Sequence, residues 1–156
     1  VHLPPFQRLL DAHGDDVHRF CVVLVGPDEA DDCFQETYLS ALRAYPRLRT
    51  ADNLKSWIVT IAHRKAIDHL RARARRPLAS DVVEPRAVAP QEAPDESLWE
   101  AVARLPPKQR DAVRLRYRED LDYAEVAAAL ACSQDAARRS VHEGLVKLRK
   151  ELSHDR

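Results

Sequence analysis

Apolar and polar positions alternate along this chain with helical spacing in three long stretches before a break. Phe6, Leu9, Leu10, His13, Val17, Phe20, Cys21 and Leu24 recur at intervals of three and four, with Gly14 as a weak point. Gly26 and Pro27 then end one helix and open the next. In the second stretch Ala30, Cys33, Phe34, Thr37, Tyr38, Ala41, Leu42 and Tyr45 form one continuous face for packing. Asp32, Gln35, Glu36 and Leu39 point away from its centre, towards solvent or a partner. The loop "PRLRTADN" leads to a third helix, "LKSWIVTIAHRKAIDHLRARARR". Trp57, Ile58 and Ile61 make one apolar side of it, and Val59, Ile67 and Leu70 lie on roughly the other. A helix apolar on two sides belongs at the centre of a small bundle.

The pattern stops at residues 77 to 96, "PLASDVVEPRAVAPQEAPDE", which has four prolines and no helical period and reads as an extended acidic linker. Helical spacing resumes near Ser97 with Leu98, Trp99, Val102 and Leu105, and "PPKQRDAVRLRYRED" adds a helix entered through proline. Asp122 is placed to cap "YAEVAAAL", with Glu125 three residues on as in a capping box. Ser133 caps a longer helix whose apolar series is Ala137, Val141, Leu145, Leu148 and Leu152. Two helices joined by the short turn "ACS" read as helix-turn-helix. The expected fold is all-α, with two small helical domains over 1–76 and 97–156 joined by the linker 77–96.

With three Gly, no Met, 45% hydrophobic and 32% charged residues, the composition is that of a soluble helical protein. No apolar run approaches the roughly 20 residues of a membrane span, and the start "VHLPPFQRLL" lacks a signal-peptide layout. Three cysteines without CxxC spacing argue against a disulfide framework and fit a reducing cytoplasm. Net charge is zero, yet it is segregated: residues 1 to 53 carry 5 basic and 9 acidic groups, 54 to 76 carry 7 and 1, 77 to 103 carry 1 and 6, and 104 to 156 carry 12 and 9. Such patterning bears on partners more than the sum does.

"DEADDCFQE", with five carboxylates in nine positions, has three readings: a metal site, a docking surface for a basic partner, or a helix start favouring negative charge. No second acidic motif complements Asp31, Asp32 and Glu36, and His18 with Cys21 is at most half a zinc site. No cofactor or metal is expected. No nucleophile arrangement or Gly-rich phosphate loop stands out, which disfavours an enzyme. Two basic surfaces remain. Arg64, Lys65, Arg71, Arg73, Arg75 and Arg76, with Trp57 and His63 nearby, suit single-strand backbone tracking with base stacking, or a solvated helix end. Gln134, Arg138, Arg139 and His142 at the start of the last helix can reach major-groove base edges, or form an ordinary polar surface.

These segments resemble, in order, those of bacterial sigma factors. "ADDCFQETYL" is similar to the acidic helix of region two, "WIVTIAHRKAIDHLRARARR" to its promoter-melting and minus-ten-reading helix, and "LPPKQRDAVRLRYREDLDYAEVAAALACSQDAARRSVHEGLVKLRKEL" to region four. With only a Pro-rich linker between, the whole resembles the extracytoplasmic-function (ECF) group. The resemblance implies a promoter-specificity factor that binds core RNA polymerase and has no catalysis of its own. Asp32, Gln35, Glu36 and Leu39 would dock on the β′ clamp helices, and region four would meet the β flap. Asn53, Lys55, Trp57, His63, Arg64 and Lys65 would capture the opened minus-ten strand, and Arg71, Arg73, Arg75 and Arg76 would lie along duplex backbone. Ser133, Gln134, Arg138, Arg139 and His142 would face the minus-thirty-five major groove, with Arg116, Arg118 and Tyr123 positioning phosphates. Arg64 departs from a frequent Asn, Ala131 replaces the usual turn glycine, and Glu143 is often Arg. An anti-sigma partner is implied for the free protein. The alternative is a sigma-like decoy that occupies an anti-sigma factor without directing transcription.

Overall fold

A computed structural model describes residues 2–76 and 96–154. The chain divides into two compact units, Val1–Ala89 and Pro90–Arg156. Both are built of helices, and no strand occurs among the described residues.

The first unit is a bundle of α1 (Phe6–Val25), α2 (Pro27–Ala44) and α3 (Leu54–Arg75), each packed on the other two. Gly26, at φ 85°, makes the reversal between α1 and α2, and its N–H closes on Val22 O at 2.9 Å. A positive φ there suits glycine, which has no Cβ to clash. Proline at the first position of α2 needs no hydrogen bond. Gly14 does not interrupt α1. It is buried, and Phe34 Cζ of α2 comes within 3.9 Å of where a Cβ would stand.

The core joins Val17, Phe20, Cys21 and Val25 of α1 to Ala30, Cys33, Thr37 and Ala41 of α2 and Ile58, Val59, Ala62 and Ala66 of α3. Thr37 is fully buried, and its hydroxyl is satisfied by donating to Cys33 O at 2.7 Å. The free Cys21 thiol is hydrogen-bonded to that of Cys33; this hydrogen bond and burial hold its pKa far above the ordinary thiol value. A 3₁₀ turn, Tyr45–Arg47, ends α2, and Tyr45 Oη donates to Pro4 O, tying the start of the chain down.

Two sequence expectations change here. Leu42 was placed on the packing face, but it is 49% exposed, beside Leu39 at 54%. α3 is fully buried on one side only. Its buried stripe is Ile58, Val59, Ala62, His63 and Ala66, whereas Trp57, Ile61, Ile67 and Leu70 are only partly buried. Ala62 and Ala66 share this contact line with the bulkier Ile58, Val59 and His63.

The second unit contains α4 (Glu96–Ala103), α5 (Pro107–Val113), α6 (Tyr123–Leu130) and α7 (Gln134–His154). The expected linker lies outside the described residues except for Glu96, which opens α4. Ala101, Val102, Leu105, Val113 and Leu148 form the core, with Trp99 and Leu145 against it. α5 runs into a π turn, Arg114–Arg118, in which Glu119 N–H reaches Arg114 O at 3.2 Å. The wider turn shifts the register so that Leu115 and Leu121 are both buried, 1% and 2% exposed. On α7 the buried positions are Ala137, Val141, Gly144 and Leu148; Leu152, expected in the series, is 36% exposed. Gly144 was not foreseen. A Cβ there would stand 2.9 Å from Val113 Cγ2, so α5 and α7 meet at this residue.

Candidate nucleic-acid and polymerase interfaces

On α2 the residues opposite the core are Asp32, Gln35, Glu36, Leu39, Leu42 and Arg43, all exposed. Their spacing makes one stripe, acidic at its N-terminal end and apolar further on. Glu36 is already engaged: its Oε2 lies 3.0 Å from His69 Nε2, and His69 Nδ1 lies 3.3 Å from Glu29 Oε2. Partial burial opposes charge on His69, but the bonds and charges of Glu36, Cys33 and Glu29 outweigh it and raise its pKa. Sequence reasoning missed this tie because its partners are 33 and 40 residues apart.

The outward side of α3 is a stripe at alternating four- and three-residue steps: Trp57, Ile61, Arg64, Asp68, Arg71 and Arg75. It begins aromatic and apolar and ends in three arginines interrupted by Asp68. Trp57 is half-buried, its ring 6.2 Å from that of Tyr45. Asn53 precedes the helix in the left-handed region, φ 57°, with no side-chain cap hydrogen bond, so its amide is exposed at the mouth of the loop.

Three residues assigned to minus-ten DNA stand elsewhere. His63 is 5% exposed, in the core, its ring 6.4 Å from Phe20. Arg73 turns inward, donating to Val25 O at 2.5 Å and pairing with Glu29 at 3.2 Å, and so clasps the ends of α1 and α2 to α3. Lys55 sits 3.9 Å from Asp16 of α1. Arg76 is 3.9 Å from Glu29 but remains largely exposed, and Lys65 is half-buried.

In the second unit, Asp122 Oδ1 accepts the Glu125 N–H at 2.8 Å and Ser133 Oγ accepts that of Ala136 at 3.1 Å, so both caps form. Between them Ala131 takes the left-handed conformation, φ 53° and ψ 48°. An alanine there bears strain of about 1–2 kcal/mol that glycine avoids. The turn geometry is kept without its usual residue. Ser133, Gln134, Arg138, Arg139 and His142 are all exposed at the start of α7. Glu143 accepts from Gln109 Nε2 at 3.2 Å, which holds the carboxylate against α5.

Arg116 is half-buried, stacked 5.5 Å from the Tyr117 ring and 5.2 Å from Tyr123, with Nη1 on Leu121 O at 3.4 Å. Arg138 lies 5.3 Å over Tyr123, and Arg118 5.4 Å over Trp99. Arg114 is pushed down to about 10, first by burial and then by Arg110, with Asp111 opposing, and it stays cationic at neutral pH. Among the described residues no cluster of three His, Cys, Asp or Glu could hold a metal; His18 bonds Asp31 at 2.8 Å. No described helix is long and apolar enough to cross a membrane.

Residues 9–76 match sigma-70 region 2, and residues 95–148 match sigma-70 region 4. The chain belongs to the ECF group of sigma-70 family factors. It is similar to the RNA polymerase sigma factor CarQ of Myxococcus xanthus, 33% identical over 94% of this chain and 88% of that one. It also resembles the ECF sigma factor SigC of Mycobacterium tuberculosis, 31% identical over 86% and 76%. In fold, this sigma factor resembles RpoE of Bartonella quintana, solved with the anti-sigma factor NepR, at TM-score 0.73, 23% identity and coverage of 97% and 98%. A second neighbour is CnrH, solved with the cytosolic domain of CnrY, at 0.69, 22%, and 97% and 89%. As a sigma factor the chain acts with core RNA polymerase and promoter DNA in transcription initiation.

Proposed function

We propose that this sigma factor divides its task among three helix faces. The α2 stripe of Asp32, Gln35, Glu36 and Leu39, extended by Leu42, docks on the β′ clamp helices. Its carboxylates steer association and its leucines supply apolar area. The α3 stripe takes the opened minus-ten strand. Trp57 and Ile61 stand at the end where Asn53 meets an unpaired base, and Arg64, Arg71 and Arg75 follow the phosphates. The start of α7 reads the minus-thirty-five major groove through Gln134, Arg138, Arg139 and His142, while Arg118 and Ser133 contact phosphates.

The observation that carries this reading is the α3 stripe, which passes along one outward line from the half-buried Trp57 and Ile61 to the exposed Arg64, Arg71 and Arg75, with Asp68 among them. Base capture needs an apolar stacking partner, and the duplex beyond needs only positive charge, and the stripe supplies them in that order. His63 stands apart from it in the core, and Arg73, though half-exposed, is tied to Val25 O and Glu29 instead. The working division is 1–76 for docking and minus-ten recognition, 77–96 as the connection, and 97–156 for minus-thirty-five recognition and the β flap. The protein works in the cytoplasm without catalysis of its own. An anti-sigma protein covers these same faces in the idle state; the fold neighbour RpoE was solved in complex with the anti-sigma factor NepR.

Run-off transcription from a genomic fragment library, using core RNA polymerase from the same organism with and without this chain, tests the reading. New transcripts sharing two spaced upstream elements are expected. No transcripts together with no co-elution with core would overturn it in favour of the decoy.

A further inference from the structure

Most of the cation–π contacts in the described residues converge on the helix-turn-helix, where Tyr117, Arg116, Tyr123 and Arg138 alternate as a ladder. Tyr123 is its centre. It is the first residue of α6, directly after the Asp122 cap, and is half-buried. Arg116, on one side of the contact, is itself fixed by the Leu121 carbonyl. Arg138 is exposed and belongs to α7, and its contact with Tyr123 ties it to α6.

An exposed arginine samples many rotamers, and a bidentate bond to guanine requires one narrow subset. Laying the guanidinium over an aromatic face limits that sampling before DNA arrives. Arg139, about 100° further round the helix, has no ring contact among those described. The two adjacent arginines are therefore unequal: one is held, the other is not.

We propose that Tyr123 is a positioning residue for Arg138, setting its base discrimination through the ring face rather than touching DNA through its hydroxyl. This rests on the reading of α7 as the minus-thirty-five helix. It differs from the sequence expectation that Tyr123 positions a phosphate.

The test uses the full chain on core RNA polymerase with a promoter library randomised over the upstream element, sequencing the transcripts. Wild type must show an upstream base preference; without one, the α7 reading and this proposal both fail. Arg138→Ala is expected to flatten preference at one position by about tenfold. Tyr123→Leu should reduce discrimination at that same position, Tyr123→Phe should preserve it, and Tyr123→Leu with Arg138→Ala should be no worse than Arg138→Ala alone. Uniform loss across the library in Tyr123→Leu with unchanged preference would overturn the proposal. So would Tyr123→Phe failing as badly as Tyr123→Leu, which would mark the hydroxyl as a phosphate contact. If Arg138→Ala moves no preference while wild type has one, the proposal fails and the α7 reading survives on its other residues.

Discussion

The two buried helix glycines, Gly14 and Gly144, differ in what surrounds them, and alanine should distinguish them. At Gly14 a Cβ would meet Leu10 Cδ1 at 3.6 Å and Phe34 Cζ at 3.9 Å, ordinary contact distances. Gly14→Ala should therefore gain stability, by about 0.5–1 kcal/mol of helix preference. At Gly144 the 2.9 Å approach to Val113 Cγ2 forces a shift in a branched, buried side chain. Overpacking of about 1–3 kcal/mol offset by the same preference leaves Gly144→Ala destabilised by about 1 kcal/mol. Urea unfolding followed by circular dichroism reads both. His69 offers a second residue-level test. Its pKa is raised in the folded protein by Glu36, Cys33 and Glu29 against the pull of burial, with the Arg73 cation also nearby on Glu29. A raised folded value means that its contribution is full below the unfolded value of about 6.5 and is lost as pH rises through the folded value. The stability gap between wild type and His69→Gln should be wider near pH 5.5 than near pH 8.5, on the order of these values. An equal or inverted gap would show that the Glu29–His69–Glu36 bridge is not populated.

At the scale of elements, α2 carries its packing face and its partner face back to back. The core side holds Ala30, Cys33, Thr37 and Ala41, and the outer side Asp32, Gln35, Glu36, Leu39 and Leu42. Substitutions at Asp32, Gln35, Leu39 and Leu42 should leave folding intact and change binding alone, whereas one at Glu36 also gives up the bond to His69 and lowers stability. Glu36→Lys should slow association with core RNA polymerase, with the defect shrinking as salt rises. Leu42→Ser should weaken the complex by about 1–2 kcal/mol, largely independent of salt. Titration of labelled chain against core at two salt concentrations separates these outcomes. A Leu42→Ser chain that binds as wild type would confine docking to the acidic end of the helix.

For the molecule as a whole, segregation of charge matters more than its zero sum. Arginines that look alike in sequence have different duties. Arg64→Ala, Arg71→Ala and Arg75→Ala should each lower the salt slope of promoter binding by about 0.7–0.9. Arg73→Ala should leave the slope unchanged and cost stability, about 1 kcal/mol, since its bonds run to Val25 O and Glu29. Salt-dependent binding of polymerase holoenzyme to one promoter, paired with thermal unfolding of each variant, checks the split. A loss of slope in Arg73→Ala would return that residue to the DNA surface.

Much of this protein is written locally and can be read without coordinates. Gly26–Pro27, the Asp122 and Ser133 caps, the helical periods and the acidic outer face of α2 all depend on neighbours within about one helical turn, where spacing and chemistry act directly. The order of motifs was equally legible and led to the sigma family. Tertiary structure decided what depends on residues far apart in the chain. The side of α3 that faces inward is the one of Ile58, Val59, Ala62, His63 and Ala66, which leaves Trp57 and Ile61 only partly covered despite their bulk. Leu42 is exposed because α1 and α3 cover the other flank of α2 and nothing described covers its own. His63 is buried, Arg73 is consumed as a clasp, Gly144 marks the α5–α7 contact, and Tyr123 holds Arg138. A side chain's type states what it can do in each of these cases; only the distant surface packed against it determines which of those things it does.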